Sequence, residues 1–489
     1  MEMIENSFNL IDEKWIPVAS VGLCSIKDIF QMRGNSVLGG NPVQKISIIK
    51  LLLAIAQSAY TPEDEDEMFA IGVDGLADRC LSYLEAKHDL FYLYGEKPFL
   101  QIPQAIEAAV QPFGAVLLEV STGNSTVLSQ LNIEKPITDA DKAMLVVQQM
   151  GFGLGGKKAD KPNILSFSDD KQKKSSKPGT FLGNFGFLYS FFYGKSIIET
   201  IWLNLFTKPE IEDMSVFPNG VGIAPWESMP TTTDGPVAED LKKSLMGRMV
   251  PVSRFILLGE SGLHYADGIF HPEYREGGFD PAISIYRSEK NTKVLLVDPN
   301  KRPWRMLTSM LSFLSVSNSN SFNCAQLALH IERSRRHGVV DIWAGGLRVS
   351  SNSGEQYITG SNDFVESIIQ IPPDILGSAW FSNLQGEMKI LEEFSSIVYA
   401  SCCGYFKALG ADNSNLAGHA SESFWNQCGS HFQSLITACD NGDTLSMRKK
   451  FARFATAAYE KHCPNTTARQ MDEWVKCYPN FTKYLTEKL

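Results

Sequence analysis

Cysteine never occurs in the arrangement that metal or redox chemistry uses: the chain of 489 residues holds nine, and no two form a C-x-x-C pair. Their odd number also argues against a complete disulfide framework. His462 and Cys463 are neighbours, a spacing that fits neither a zinc loop nor a Cys–His catalytic pair, whose members come from separate segments. The thiols are therefore read as reduced core residues, with no metal ligand, catalytic residue or cofactor expected. Long apolar runs are missing as well. The longest, ISIIKLLLAIA, is broken by Lys50 and falls short of the ~20 residues of a membrane-spanning helix. The opening MEMIENSFNLIDEKW has no basic start leading into an apolar run, which speaks against a secretory signal and for a soluble, cytoplasmic protein. Positive charge is scarce, with 45 Lys and Arg against 55 Asp and Glu and a net charge of -10. A field of that sign repels phosphates, so any nucleic-acid contact has to be local.

What is present is a packed globular chain, 44% hydrophobic and long enough for two or three domains. FNLIDEKWIPV reads as a strand or hairpin arm, residues 43–60 as a buried helix, and ADRCLSYLEAKH as a further helix. The aromatics and prolines of FYLYGEKPFLQIP make that stretch extended. The acidic run EDEDE at 63–67 reads as a solvated loop or helix start. Between 215 and 365, short apolar runs such as RFILL, AISIYR and KVLLVD alternate with turn residues, as strands and loops do.

The pattern changes after Pro372-Pro373. Leu391, Phe394, Val398, Cys402, Tyr405 and Leu409 recur at helical spacing. Trp425, Cys428, Phe432, Leu435 and Cys439 make a second stripe, and Met447, Phe451, Phe454 and Ala458 a third. Met471, Trp474, Tyr478 and Phe481 suggest a fourth. The fold class expected is α+β: a large mixed domain over 1–372, then an antiparallel four-helix bundle over 373–489.

Residues 151–158, GFGLGGKK, match the nucleotide-loop template G-x-x-x-x-G-K-[ST] until Lys158 takes the position of the magnesium-binding hydroxyl. Two further features oppose a nucleotide site. Thr138 and Asp141 read as the cap of a helix through DADKAMLVVQQM, where a strand should enter, and Pro162 stops any helix that should follow. What remains is Gly151, Gly153, Gly155 and Gly156 with Lys157, Lys158 and Lys161 behind them. Glycine lets a backbone approach a partner closely, and lysine supplies charge for phosphates. DDKQKKSSKPG adds four more lysines, and reads either as a solvated loop or as a further contact. Two other readings stay open. One is an enzyme that binds a phosphorylated ligand on the glycine loop, with His264 and His271 near Asp267 as acid–base groups; the other is a scaffold that binds only proteins.

NLIDEKWIPV at 9–18, FYLYGEKPFLQ at 91–101, GFGLGG at 151–156, AGGLR at 344–348 and the long C-terminal helical segment together resemble the CasA-type large subunit of the type I-E CRISPR Cascade complex. The resemblance implies a nonenzymatic subunit that recognises the target-flanking motif (PAM) in double-stranded DNA. It also implies help with strand separation and R-loop formation, beside a CRISPR RNA carried by Cascade backbone and small subunits, and docking of a helicase-nuclease. The glycine loop would read the minor groove, where base pairs are poorly distinguished, so a loose motif preference is expected.

On the positions of this chain, Gly153, Leu154, Gly155 and Gly156 match the groove-reading loop, with Lys157 and Lys158 on adjacent phosphates. A wedge loop would follow AGGLR, with Ser351, Asn352 and Gln356 as its candidates. Family members use a lysine in a nearby finger; LGESGLHYADG at 258–268 has none, and Ser261 or His264 stands in its place. Leu128 is the nearest match to an aromatic that touches the guide-RNA end. Arg448, Lys449, Lys450 and Arg453 lie on or beside the third bundle helix, either as a solvated face or as a track for DNA.

Overall fold

The computed structural model describes residues 5–118, 137–155, 186–278, 280–288, 291–315, 321–352, 355–359, 361–411 and 414–486. Two compact units are formed, one from Met1–Pro303 with Phe322–Ile368, the other from Trp304–Ser321 with Ile369–Leu489.

The first unit opens with β1 (Ser7–Asn9) and the hairpin of β2 (Ile16–Val18) and β3 (Gly22–Cys24). Trp15, 1% exposed, packs beneath and donates its indole N–H to the Leu10 carbonyl at 3.0 Å. Helix α1 (Pro42–Ala59) starts at a capping box between Asn41 and Gln44, with proline as its first residue. Fourteen of its 18 residues are buried, so it is a central helix rather than an amphipathic surface one. Lys50 within it pairs with buried Asp280. In α2 (Glu65–Ala86) the acidic run supplies the Asp64 cap and first turn, where carboxylates meet the positive end of the helix.

β4 (Tyr92–Tyr94) pairs antiparallel with β1, Asn9 opposite Tyr92. Phe91 and Phe99 flank it and stack at 4.8 Å. The two opening motifs are thus partners in one small sheet over an aromatic core. β5 (Val110–Pro112) precedes α3 (Asp139–Phe152), which begins at the Thr138–Asp141 capping box. β6 (Tyr189–Phe192) and α4 (Ile197–Asn204) follow.

The strand-rich stretch holds β7 (Arg254–Leu258), β8 (Gly262–Asp267), β9 (Ile285–Ser288), β10 (Asn291–Val294) and β11 (Phe322–Asn323). After α5 (Ala325–His337) come β12 (Val340–Leu347), β13 (Ser350–Asn352), β14 (Glu355–Tyr357) and β15 (Phe364–Ile371). Sheets run in the orders β5-β8-β7, β10-β9-β11 and β15-β12-β6, with β13 and β14 a separate hairpin. AGGLR is therefore the end of a central strand, with Gly345 in register with Tyr189.

The second unit is a helical bundle of α6 (Ser378–Ala408), α7 (Ser414–Gly429), α8 (Phe432–Asn441), α9 (Thr444–His462) and α10 (Ala468–Lys476). The second sequence stripe is shared by two helices, Trp425 and Cys428 on α7 and the rest on α8. At the break, Gly429 backs onto Trp304, whose Nε1 would lie 3.3 Å from any Cβ there. The fourth stripe is mostly a surface one: Met471 is 46% exposed, and of the four residues only Phe481 is buried. The unit also takes in Trp304–Ser321, which the expected boundary after Pro372 left with the first domain. Trp304 lies 4.6 Å from Phe432, ring to ring, and Arg305 pairs with Glu392 at 2.9 Å.

Candidate functional site

α3 ends where the glycine loop begins, with Gly153 as its C-cap residue. Gly153, Leu154 and Gly155 are all buried, and one side chain explains their path. Arg254, the first residue of β7, is 1% exposed and donates from Nη2 to the Leu154 carbonyl at 2.7 Å. Its Nε donates to the Tyr265 hydroxyl at 3.0 Å, and its Nη1 pairs with Asp267. Tyr265 passes the chain on to Gln149 at 2.7 Å, and Gln149 donates to the Val116 carbonyl at 3.0 Å. Burial raises the Tyr265 phenol, which keeps the proton it donates. A Cβ on Gly153 would stand 2.7 Å from Arg254 Nε and 2.8 Å from its Cγ. The absence of a side chain there serves the guanidinium packed behind the loop.

The hairpin closes on the same loop. Ser351 is opposite Gln356 and Asn352 opposite Glu355. Buried Gln356 takes both polar backbone groups of Gly155: its Oε1 accepts from the Gly155 N–H at 2.7 Å, and its own N–H donates to the Gly155 carbonyl at 3.0 Å. The root is held by Asp363, 2% exposed, which accepts from the Thr359 N–H at 2.6 Å and pairs with Arg348 at 3.0 Å. The segments named for groove reading and for the wedge, 201 residues apart in sequence, thus meet at Gly155.

The other candidates are placed differently. Gly156, Lys157 and Lys158 lie outside the described residues, as do Leu128 and the lysine-rich run 168–179. Ser261 is exposed in the β7–β8 turn. His264, half-buried on β8, donates from Nδ1 to the Ala108 carbonyl at 2.9 Å. Neighbouring strand residues face opposite sides, so Tyr265, which touches the loop, turns His264 away from it. On α9, Arg448 makes a two-pronged pair with buried Glu387, its Nε 3.0 and 2.9 Å from the two carboxylate oxygens. Lys450 donates to His431 Nδ1 at 3.1 Å, while Lys449 and Arg453 stand exposed one turn apart.

The acid–base set is not assembled as such. Asp267 belongs to Arg254. His271 is buried, its Nδ1 accepting from Arg248 at 2.7 Å and its Nε2 donating to the Pro251 carbonyl at 2.7 Å. Burial, reinforced by the Arg248 charge, pushes its imidazole well below its ordinary range. Both ring nitrogens are committed in the neutral form. No group of three or more His, Cys, Asp or Glu that could hold a metal occurs among the described residues.

Arg254 was missed in the sequence because it reads as the polar start of RFILL. Its one signal is a charge at the edge of an apolar run. Among the described residues no helix is long and apolar enough to cross a membrane.

These features define a protein with an α+β unit, a glycine loop clasped by a hairpin, and a C-terminal helical bundle. The family model described as CRISPR-associated protein Cse1 matches residues 9–468, and the chain belongs to that family. A CRISPR-associated CasA/Cse1 protein of Thermus thermophilus is 25% identical over 327 residues, 62% of this chain and 60% of that relative's length. The solved structure of Thermus thermophilus CasA (Cse1) superposes with a TM-score of 0.72 at 20% identity, covering 99% of this chain and all of that one. Thermobifida fusca Cse1 gives a TM-score of 0.74 at 18% identity over 97% of each chain. A chain of a CRISPR RNA-guided surveillance complex gives 0.69 at 14% identity, over 97% of this chain and 99% of that one. At these identities the superpositions establish the shared fold.

Proposed function

We propose that this chain is the large subunit of a cytoplasmic, CRISPR RNA-guided surveillance complex, a DNA-recognition protein rather than an enzyme. Its glycine loop recognises the motif flanking a double-stranded target, and the hairpin Ser350–Tyr357 separates the first base pairs so that the guide can pair and an R-loop can form. Ser351, Asn352 and Gln356 are its wedge residues, Lys157 and Lys158 contact phosphates beside the groove, and Lys449 and Arg453 extend the DNA contact along the bundle. The same subunit recruits the helicase-nuclease that degrades the target.

The observation that carries this reading is the meeting of glycine loop and hairpin at Gly155, where Gln356, a wedge candidate, is hydrogen-bonded to the groove-reading candidate. Membership of the Cse1 family supports it, as does the likeness to a chain of a guided surveillance complex. The test is binding by the assembled complex, with guide RNA, to duplexes that differ only in the flanking motif. Discrimination of at least about tenfold between best and worst motifs is expected, the order of one to three kcal/mol that a single base-pair mismatch costs. Equal affinities across the panel overturn the reading.

A further inference from the structure

We infer that Gln356 is a latch as well as a wedge residue: in the DNA-free protein its side chain occupies the Gly155 amide that the target must take, so that motif binding releases the Gln356 side chain. The inference rests on the reading of the loop and hairpin given above and adds a regulatory step to it.

Gly155 has one backbone N–H, and the Gln356 Oε1 accepts it at 2.7 Å. A groove reader made of backbone has little besides such amides to offer base edges and phosphates. The amide is therefore closed to DNA while Gln356 stays in place. Gln356 is likewise buried, at 8% exposure, and closed to the duplex. Each group has to leave the other before either can act.

The exchange is cheap. A neutral hydrogen bond contributes a net factor of only about two to ten to an equilibrium, and a DNA acceptor that replaces Oε1 restores it. The second bond, from the Gln356 N–H to the Gly155 carbonyl at 3.0 Å, belongs to the backbone and does not depend on the side chain. The hairpin root at Asp363 is separate from both. The side chain can thus swing out while the hairpin stays attached to the loop, which gives it a trigger at the motif and a short path to the adjacent base pairs. Reading and opening are ordered in time.

Gln356→Met separates the two roles, because it keeps length and backbone bonding and removes the acceptor. The probe is a duplex that carries the flanking motif but no sequence complementary to the guide, so that docking cannot proceed to opening. Without its acceptor the Gly155 amide is left unsatisfied in the free protein, and docking relieves it. The assembled complex with Gln356→Met is expected to bind this duplex more tightly, by a few-fold up to about tenfold, and to open a complementary target more slowly than the unsubstituted complex. A wedge that is not a latch gives slower opening with docking unchanged or weaker, and that result overturns the inference.

Amide exchange at Gly155 supplies the second measurement. The Gly155 amide should exchange faster in the Gln356→Met complex than in the unsubstituted one, and binding of the motif-only duplex should restore its protection; protection that the duplex does not restore overturns the latch. An unsubstituted complex with no motif preference overturns the underlying reading. Motif preference without tighter docking by Gln356→Met overturns the latch alone.

Discussion

Two residues decide the path of the glycine loop, and only one of them belongs to it. Gly153 is legible in the sequence as part of GFGLGG, but its partner Arg254 lies a hundred residues away and looks like the polar end of a strand. Sequence spacing cannot reveal that the missing Cβ makes room for a buried guanidinium. Gly153→Ala places a methyl group 2.7–2.8 Å from Arg254 and must displace it, at a cost of about 1–3 kcal/mol of stability by the usual penalty for overpacking. Arg254→Met is worse, about 3–5 kcal/mol, because Asp267 and the Leu154 carbonyl lose their shared partner in the interior. Denaturant melts of the two variants check both figures. A Gly153→Ala chain that melts like the original yet has lost duplex binding would return this glycine to groove approach alone.

At the scale of elements, the bundle helices were written clearly in the stripes of apolar residues, whereas the roles of their charges were not. The run RKKFAR on α9 reads as four equivalent cations. The helix divides them by direction: Arg448 points inward to Glu387, which is 4% exposed, while Lys449 and Arg453 share an exposed face. Arg448→Ala strands a buried carboxylate and should destabilise the bundle by about 2–3 kcal/mol, with the pair's partial exposure keeping it below the fully buried case. The double substitution of Lys449 and Arg453 by Ala should leave stability within about 0.5 kcal/mol and lower the slope of log affinity against log salt by about one to two if both meet phosphates. Parallel melts and a salt titration of duplex binding separate the two behaviours. An unchanged salt slope in the double variant removes the bundle track. The fourth stripe shows the opposite kind of illegibility, since Met471 and Tyr478 keep helical spacing while remaining 46% and 39% exposed. Periodicity reports that a helix has an apolar face, and not that a neighbour covers it.

Across the whole molecule, the boundary between units was only half legible, because Trp304–Ser321 joins the bundle through Trp304 and Arg305, contacts made far along the chain that leave no local compositional mark. Charge has the same property. The total of -10 suggests a protein unsuited to DNA, yet residues 61–90 alone carry nine acidic against two basic side chains, a net -7. Much of the net negative charge therefore lies in one segment, α2 and its flanks, where Asp66, 3.8 Å from Arg336, and Asp89 have side chains 92% and 91% exposed. Exposed charges of that kind act on encounter rather than on the docked state, and salt screens them over about 8–10 Å. Asp66→Asn with Asp89→Asn should leave folding and the dissociation rate of the assembled complex from a motif duplex unchanged. Its association rate should rise a few-fold at low ionic strength, and the gain should vanish near 0.5 M salt, where the screening length falls to roughly 4 Å. Stopped-flow association at two salt concentrations makes the comparison. An association rate that does not respond at low salt would mean that the field met by incoming DNA is set by the local lysines and arginines, and that the overall sign of the chain has no bearing on recognition.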